Sequence, residues 1–147
     1  MKITVIGPGA IGTLLATTMA RSGNDISVLV KAVQKKQFGN GKIILDNFNG
    51  KRIESRIKIT TELENPDWTI MAVKSYDVEN LINLLKKTQS PVLCCQNGIR
   101  TYNQIKEEIG EERTAYMVTG MGSSKTEPGR AVFRGSGFTY IGTMSGL

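Results

Sequence analysis

The sequence predicts an α/β domain: a doubly wound, mainly parallel sheet with an antiparallel hairpin towards its C-terminal end. Three observations predict it. Apolar strand-like runs alternate with helix-like runs over the first 120 residues. The first 30 residues form a strand, helix, strand unit of the length of a parallel crossover. Near the end the pattern changes, and RAVFRG (130–135) and FTYIG (138–142) flank Gly135-Ser136-Gly137, a hairpin signal. With 147 residues, 39% of them apolar, the chain is read as one domain, 1–147, large enough to bury a core.

Taken in order, KITVI (2–6) is a short buried strand. Residues from Ala10 to about Ser22 favour a helix, which Gly23 stops. ISVLV (26–30) is a second buried strand, and 32–38 a short helix ended by the Gly39–Gly41 turn. KIILD (42–46) and RIESRIKIT (52–60) read as two strands around the Asn47–Gly50 turn, the second alternating through Ile53, Ile57 and Ile59. After the turn at Asn65-Pro66-Asp67, WTIMAV (68–73) is a strand. Val78, Leu81, Ile82 and Leu85 set a helix from about Tyr76 to Lys87, broken by Ser90-Pro91. VLCCQ (92–96) is the next strand, Asn97-Gly98 turns into a helix from about Arg100 to Ile109, and TAYMVTG (114–120) is a strand.

Composition narrows the function classes. The chain has no histidine, which excludes His-based acid–base or nucleophilic chemistry within it. Cys94 and Cys95 are adjacent, so neither a disulfide framework nor metal-ligand spacing is present, and both are read as small hydrophobes of a core strand. No apolar run approaches the roughly 20 residues of a membrane span. The chain runs directly into a strand pattern without a signal peptide, so a cytoplasmic location is expected.

The net charge is +6, and eight of the cations lie between Lys31 and Lys58. A nucleic acid, a dinucleotide or a solvated edge would each account for them. The segment lacks a nucleic-acid-binding signature, its only interleaved aromatics being Phe38 and Phe48.

Gly7-Pro8-Gly9-Ala10-Ile11-Gly12 sits between the first strand and the first helix. A GxGxxG pattern alone is weak, but this one has a strand before it, a helix after it and a second strand closing the unit. Gly7 permits the tight turn, Gly9 lets the backbone approach a pyrophosphate, and Gly12 lets the helix pack closely. The helix start then offers free N–H groups and its positive dipole end to the phosphates. The second strand ends in VLVK (28–31), placing Lys31 where an NAD site carries an acid for the ribose 2′-hydroxyl. A cation there suits a 2′-phosphate, so NADP(H) is expected over NAD(H).

GPGAIG (7–12), VLVK (28–31), AVKSYDV (72–78), CQNGIRT (95–101) and TEPGRAVFRGSGFTYIG (126–142) follow in this order. Together the chain resembles the N-terminal domain of the ketopantoate reductases (2-dehydropantoate 2-reductases) over essentially its whole length. The resemblance implies a Rossmann module whose first loop holds the pyrophosphate. Lys31 stands where the family commonly places arginine for the 2′-phosphate; lysine supplies a point charge without the bidentate fork. The resemblance also puts Lys74 near the cofactor and Asn97 beside the nicotinamide ribose and the substrate. Ser123 falls near a small residue of the loop that closes over the cofactor. Read from the residues alone, Asn97 could equally cap the following helix, and Lys74 could be a surface lysine at a strand end.

The implied reaction is NADPH-dependent reduction of 2-dehydropantoate to pantoate, towards pantothenate and coenzyme A. In the family the proton donor is a lysine of a helical C-terminal domain. The sequence ends before such a domain, so no catalytic residue is assigned within it. Part of a two-domain reductase and a stand-alone NADP(H)-binding module are both open, with a small 2-keto acid as the expected substrate. A half lacking its second domain would expose apolar surface, which leaves a homo-oligomer open.

Overall fold

The structure, a computed structural model, describes residues 1–47 and 50–143. Eleven strands and four α-helices are described. The strands are β1 (Lys2–Ile6), β2 (Asp25–Leu29), β3 (Lys42–Asn47), β4 (Arg52–Arg56), β5 (Lys58–Thr60) and β6 (Trp68–Met71). They continue with β7 (Val92–Cys94), β8 (Thr114–Thr119), β9 (Gly122–Glu127), β10 (Arg130–Gly135) and β11 (Thr139–Gly142). The helices are α1 (Ala10–Arg21), α2 (Ala32–Lys35), α3 (Ile82–Leu85) and α4 (Arg100–Ile109).

Seven strands make the main sheet, in the order β11-β8-β7-β6-β1-β2-β5. All neighbours are parallel except β11, which runs antiparallel to β8. The chain builds outwards from β1 to β2 and β5, then returns to the other side of β1 with β6. The C-terminal ends of β1 and β6 therefore flank a switch in strand order, where an open α/β sheet leaves a crevice. This is the expected doubly wound, Rossmann-like architecture.

Both faces of the sheet are covered. On one face Ile3, Val5, Ile26, Val28 and Ile70 form a buried cluster with Ala16 of α1. Ile6, Leu29, Met71, Val92 and Cys94 pack with Val78, Leu85, Ile105 and Ile109 in the other cluster, beneath α3 and α4. Helix α1 is buried on a second side as well. A smaller four-stranded sheet, β4-β3-β10-β9, lies over it, and Leu14 packs there with Leu45 and Ala131. Being enclosed from two sides explains why the helix carries apolar residues around much of its surface.

Four expectations are corrected. RIESRIKIT is not one strand. Its first part pairs antiparallel with β3 in the small sheet, and its last three residues pair parallel with β2 in the main sheet. The crossing is at Ile57, whose N–H donates to Gly41 O at 3.0 Å. Secondly, 130–135 and 138–142 do not pair with each other. The antiparallel hairpin is made by β9 and β10 about Pro128-Gly129, while β11 returns to β8.

The third correction concerns 76–87, which is not a continuous helix. It is two 3-10 turns, Ser75–Asp77 and Glu79–Leu81, followed by α3. Burying Val78 completely tightens the chain into i→i+3 bonds, Val78 N to Ser75 O and Leu81 N to Val78 O. Lastly, β9 was not foreseen. The expected turn at Asn47–Gly50 lies partly outside the described residues.

At the edge, β11, the residue before it and the end of β8 expose Phe138, Tyr140, Ile141 and Val118. Among the described residues no helix is long and apolar enough to cross a membrane.

Candidate functional site

A cleft of about 450 Å³ opens across the C-terminal ends of β1, β2, β6 and β7. Its floor is the glycine loop. Gly7 turns with φ +90°, a conformation that disfavours any side chain, and a Cβ there would meet Val73 Cγ1. Gly9 accepts the first helical bond, from Thr13 N at 2.9 Å. A Cβ built on Gly9 meets nothing within 4 Å, so this position faces the open cleft. Gly12 is different: it is buried, and a Cβ would collide with the Gly7 carbonyl oxygen while reaching Ala72 Cβ at 3.3 Å. The close packing expected of Gly12 is thus against the loop itself and the strand end beside it.

The start of α1 is electrostatically open. Its N-cap is Gly9, no side chain caps it, and its first turn holds no acid. The leading N–H groups and the positive end of the helix dipole are therefore not neutralised by the chain's own carboxylates. This is an anion-binding geometry. Gly7, Pro8, Gly9, Ala10 and Ile11 all line the cleft.

Lys31, Lys74 and Asn97, drawn from three parts of the sequence, line the same cleft. Lys31 follows β2 and Lys74 follows β6; both are exposed. Asn97 follows β7 and is also exposed. It does not cap the next helix, whose N-cap is Ile99 with no side-chain bond. Gly98 at φ +84° makes the turn between them. Ser123 is not brought to the cleft wall. It lies in strand β9, where its hydroxyl donates to Val132 O at 3.2 Å. Lys125, two residues along the same strand, lines the cleft instead.

Two further residues escaped the sequence reading although both lie in stretches quoted above. Gln96 is buried, and its Nε2 donates to Met71 O at 2.8 Å and to Val73 O at 3.1 Å. One amide thereby ties the end of β7 to the end of β6, holding Asn97 and Lys74 on opposite sides of the tie. Asp77 is the other: its Oδ1 lies 3.1 Å from Lys31 Nζ. In sequence no acid stands near Lys31, but the turn after β6 supplies one in space.

The cationic run 31–58 is also redistributed by folding. Lys42 faces Glu54, Arg52 faces Asp46, and Lys58 faces Glu64. Burial pushes both thiols up to about 12: Cys94 is wholly enclosed, and Cys95 is half-buried at the cleft wall. Neither is ionised at neutral pH, as expected of core cysteines rather than nucleophiles.

Residues 3–146 match the family model described as ketopantoate reductase PanE/ApbA. The 2-dehydropantoate 2-reductase of Pyrococcus horikoshii is 29% identical over 144 residues, covering 97% of this chain and 47% of that protein. Among solved structures, a probable 2-dehydropantoate 2-reductase of Bacillus subtilis superposes with a TM-score of 0.87 at 18% identity, covering 99% of this chain and 50% of that one. A ternary structure of D-mandelate dehydrogenase with NADH and anilino(oxo)acetate superposes with a TM-score of 0.83 at 24% identity, covering 96% of this chain and 48% of that one. At these identities the two structures show the fold alone. The chain spans about half the length of the curated relatives it matches.

Proposed function

The chain belongs to the ketopantoate reductase PanE/ApbA family, and from that premise we propose that it is the NADP(H)-binding part of a 2-dehydropantoate 2-reductase. The reaction is reduction of 2-dehydropantoate to pantoate with NADPH, towards pantothenate and coenzyme A, in the cytoplasm. The observation that carries the nucleotide reading is the uncapped, acid-free start of α1 with Gly9 open to the cleft beside it. A phosphate-bearing ligand fits such a cradle because backbone N–H groups and the helix dipole favour negative charge without a side chain in the way.

When bound, the nicotinamide supplies the hydride that reduces the ketone carbon. The residues of this chain bind and orient. Gly7 to Gly12 hold the pyrophosphate, Lys31 meets the 2′-phosphate, and Lys74 adds positive charge along the cleft. Asn97 serves the nicotinamide ribose and the 2-keto acid. Gln96 keeps Lys74 and Asn97 in register. Ser123 has no part in this reading, and Lys125 takes its place at the cleft wall. The proton for the ketone oxygen needs a positioned acid, and we assign that role to none of the residues lining this cleft.

A fluorescence titration with NADPH and NADH, followed by addition of 2-dehydropantoate while nicotinamide absorbance is recorded, tests this. NADPH binding with a flat absorbance trace is the expected result for these 147 residues. No binding at millimolar NADPH overturns the proposal, and steady NADPH consumption overturns the assignment of binding and orienting roles alone to these residues.

A further inference from the structure

Asp77, the ion-pair partner of Lys31, is the charged residue of the cleft that the nucleotide reading leaves unused. The two residues are 46 apart in sequence and meet at 3.1 Å. Both line the cleft, and Asp77 is the less exposed partner, with 29% of its side chain accessible against 69% for Lys31. The acid is also held by its backbone. Asp77 N donates to Lys74 O at 3.0 Å, and the next residue, Val78, is fully buried. Lys31 can swing on four flexible carbons; the Asp77 main chain is pinned between a hydrogen bond and the core.

Resting on the dinucleotide reading above, we infer that Asp77 is a specificity-determining residue at the adenosine-ribose end of the cleft, setting the balance between NADP(H) and NAD(H). A 2′-phosphate, carrying about −1.5 to −2 charges as a monoester does near neutral pH, pairs with Lys31 but must displace the carboxylate already there and then lie beside it. A 2′-hydroxyl meets no such conflict. It donates to the carboxylate, as the acid of an NAD site accepts, and can accept from the ammonium. The pair therefore reads both ligands, with Lys31 favouring the phosphate and Asp77 opposing it. Lys74 and Lys125 line the same cleft and are left unchanged in the comparison. Sequence alone shows only the cation; the carboxylate that tempers it comes from 46 residues away.

The test is a pair of titrations, NADPH and NADH, on the parent chain, Asp77→Asn and Lys31→Gln, at low and physiological salt. Removing one carboxylate from beside a phosphate at close range tightens NADPH binding about tenfold at low salt, less when screened. Asp77→Asn is expected to do this while leaving NADH unchanged or weaker. Lys31→Gln is expected to weaken NADPH about tenfold or more and to leave NADH within a few-fold. An Asp77→Asn protein whose NADPH-to-NADH ratio equals the parent's overturns the inference while the dinucleotide reading stands. Should Asp77→Asn fail to fold, Lys31→Gln decides: equal loss of both nucleotides overturns it. A parent that binds neither nucleotide overturns both readings together.

Discussion

Gly9 and Gly12 look equivalent in the glycine motif, yet alanine at the two positions should do opposite things. At Gly9 the backbone is extended, with φ −75°, which alanine adopts without strain, and the new Cβ would meet nothing within 4 Å. Loss of glycine's unfolded-state freedom then leaves stability unchanged or raised by about 0.4–1 kcal/mol. At Gly12 the Cβ falls on the Gly7 carbonyl oxygen, a backbone atom that would have to retreat by about 1 Å. Overpacking of this kind costs about 1–3 kcal/mol. Because the atom met is backbone, the upper part of that range, about 2–3 kcal/mol, applies. The helix propensity gained from alanine returns about 1 kcal/mol, so Gly12→Ala should be net destabilising by about 1–2 kcal/mol.

For a chain of this size that is a fall in melting temperature of roughly 3–8 °C, while Gly9→Ala should move it by less than about 3 °C. Binding should reverse the order of severity per unit of stability. The Gly9 methyl stands where a diphosphate would approach, so NADPH affinity should fall at least tenfold in a protein that is fully folded. Thermal unfolding by circular dichroism and fluorescence titration of the same samples check both halves. A Gly9→Ala protein that binds NADPH like the parent, or that melts as early as Gly12→Ala, refutes the assignment of open and packed roles to these two glycines.

Two further outcomes follow from the fold. Arg113 donates to the carbonyls of Thr88 at 2.6 Å and Ser90 at 3.2 Å, tying the 3-10 turn before β8 to the loop after α3. Arg113→Met should lower stability by about 2–3 kcal/mol in denaturant unfolding, because buried carbonyls lose a charged donor. Asp46 bridges Arg52 and Arg130 across the small sheet, and its hydrogen bonds to these guanidinium groups, Arg52 first, hold its carboxyl below the usual 3.8. A lowered folded-state value means the stabilisation is present above the unfolded value and is lost as pH falls through the folded one. Acid unfolding of the parent should therefore show a loss below about pH 4 that is smaller in Asp46→Asn.

The parts legible in the sequence are those settled within a few neighbouring residues. KITVI, the glycine turn and the helix from Ala10 form one continuous local signal, and the structure reproduces each within a residue or so. Lys31, Lys74 and Asn97 could be placed together because each directly follows an apolar run, and strand ends of a parallel sheet share one side. Strand β9 was missed because GSSKTE has no apolar alternation; its hydrogen bonds to β10 make it a strand. Pro128-Gly129 was the one local hint of a turn there.

Periodicity, turn chemistry and the spacing of the glycines belong to the chain itself, and they suffice for a doubly wound domain with a side-chain-free turn at the start of α1. Pairing partners do not belong to it. RIESRIKIT has one alternation whether it serves one sheet or two, and β10 and β11 separate into different sheets despite the hairpin-like glycines between them. The carboxylate beside Lys31 is of the same kind. Long-range backbone hydrogen bonds and the burial of Val78 carry Asp77 across 46 residues to 3.1 Å, and charge acts through space rather than along the chain.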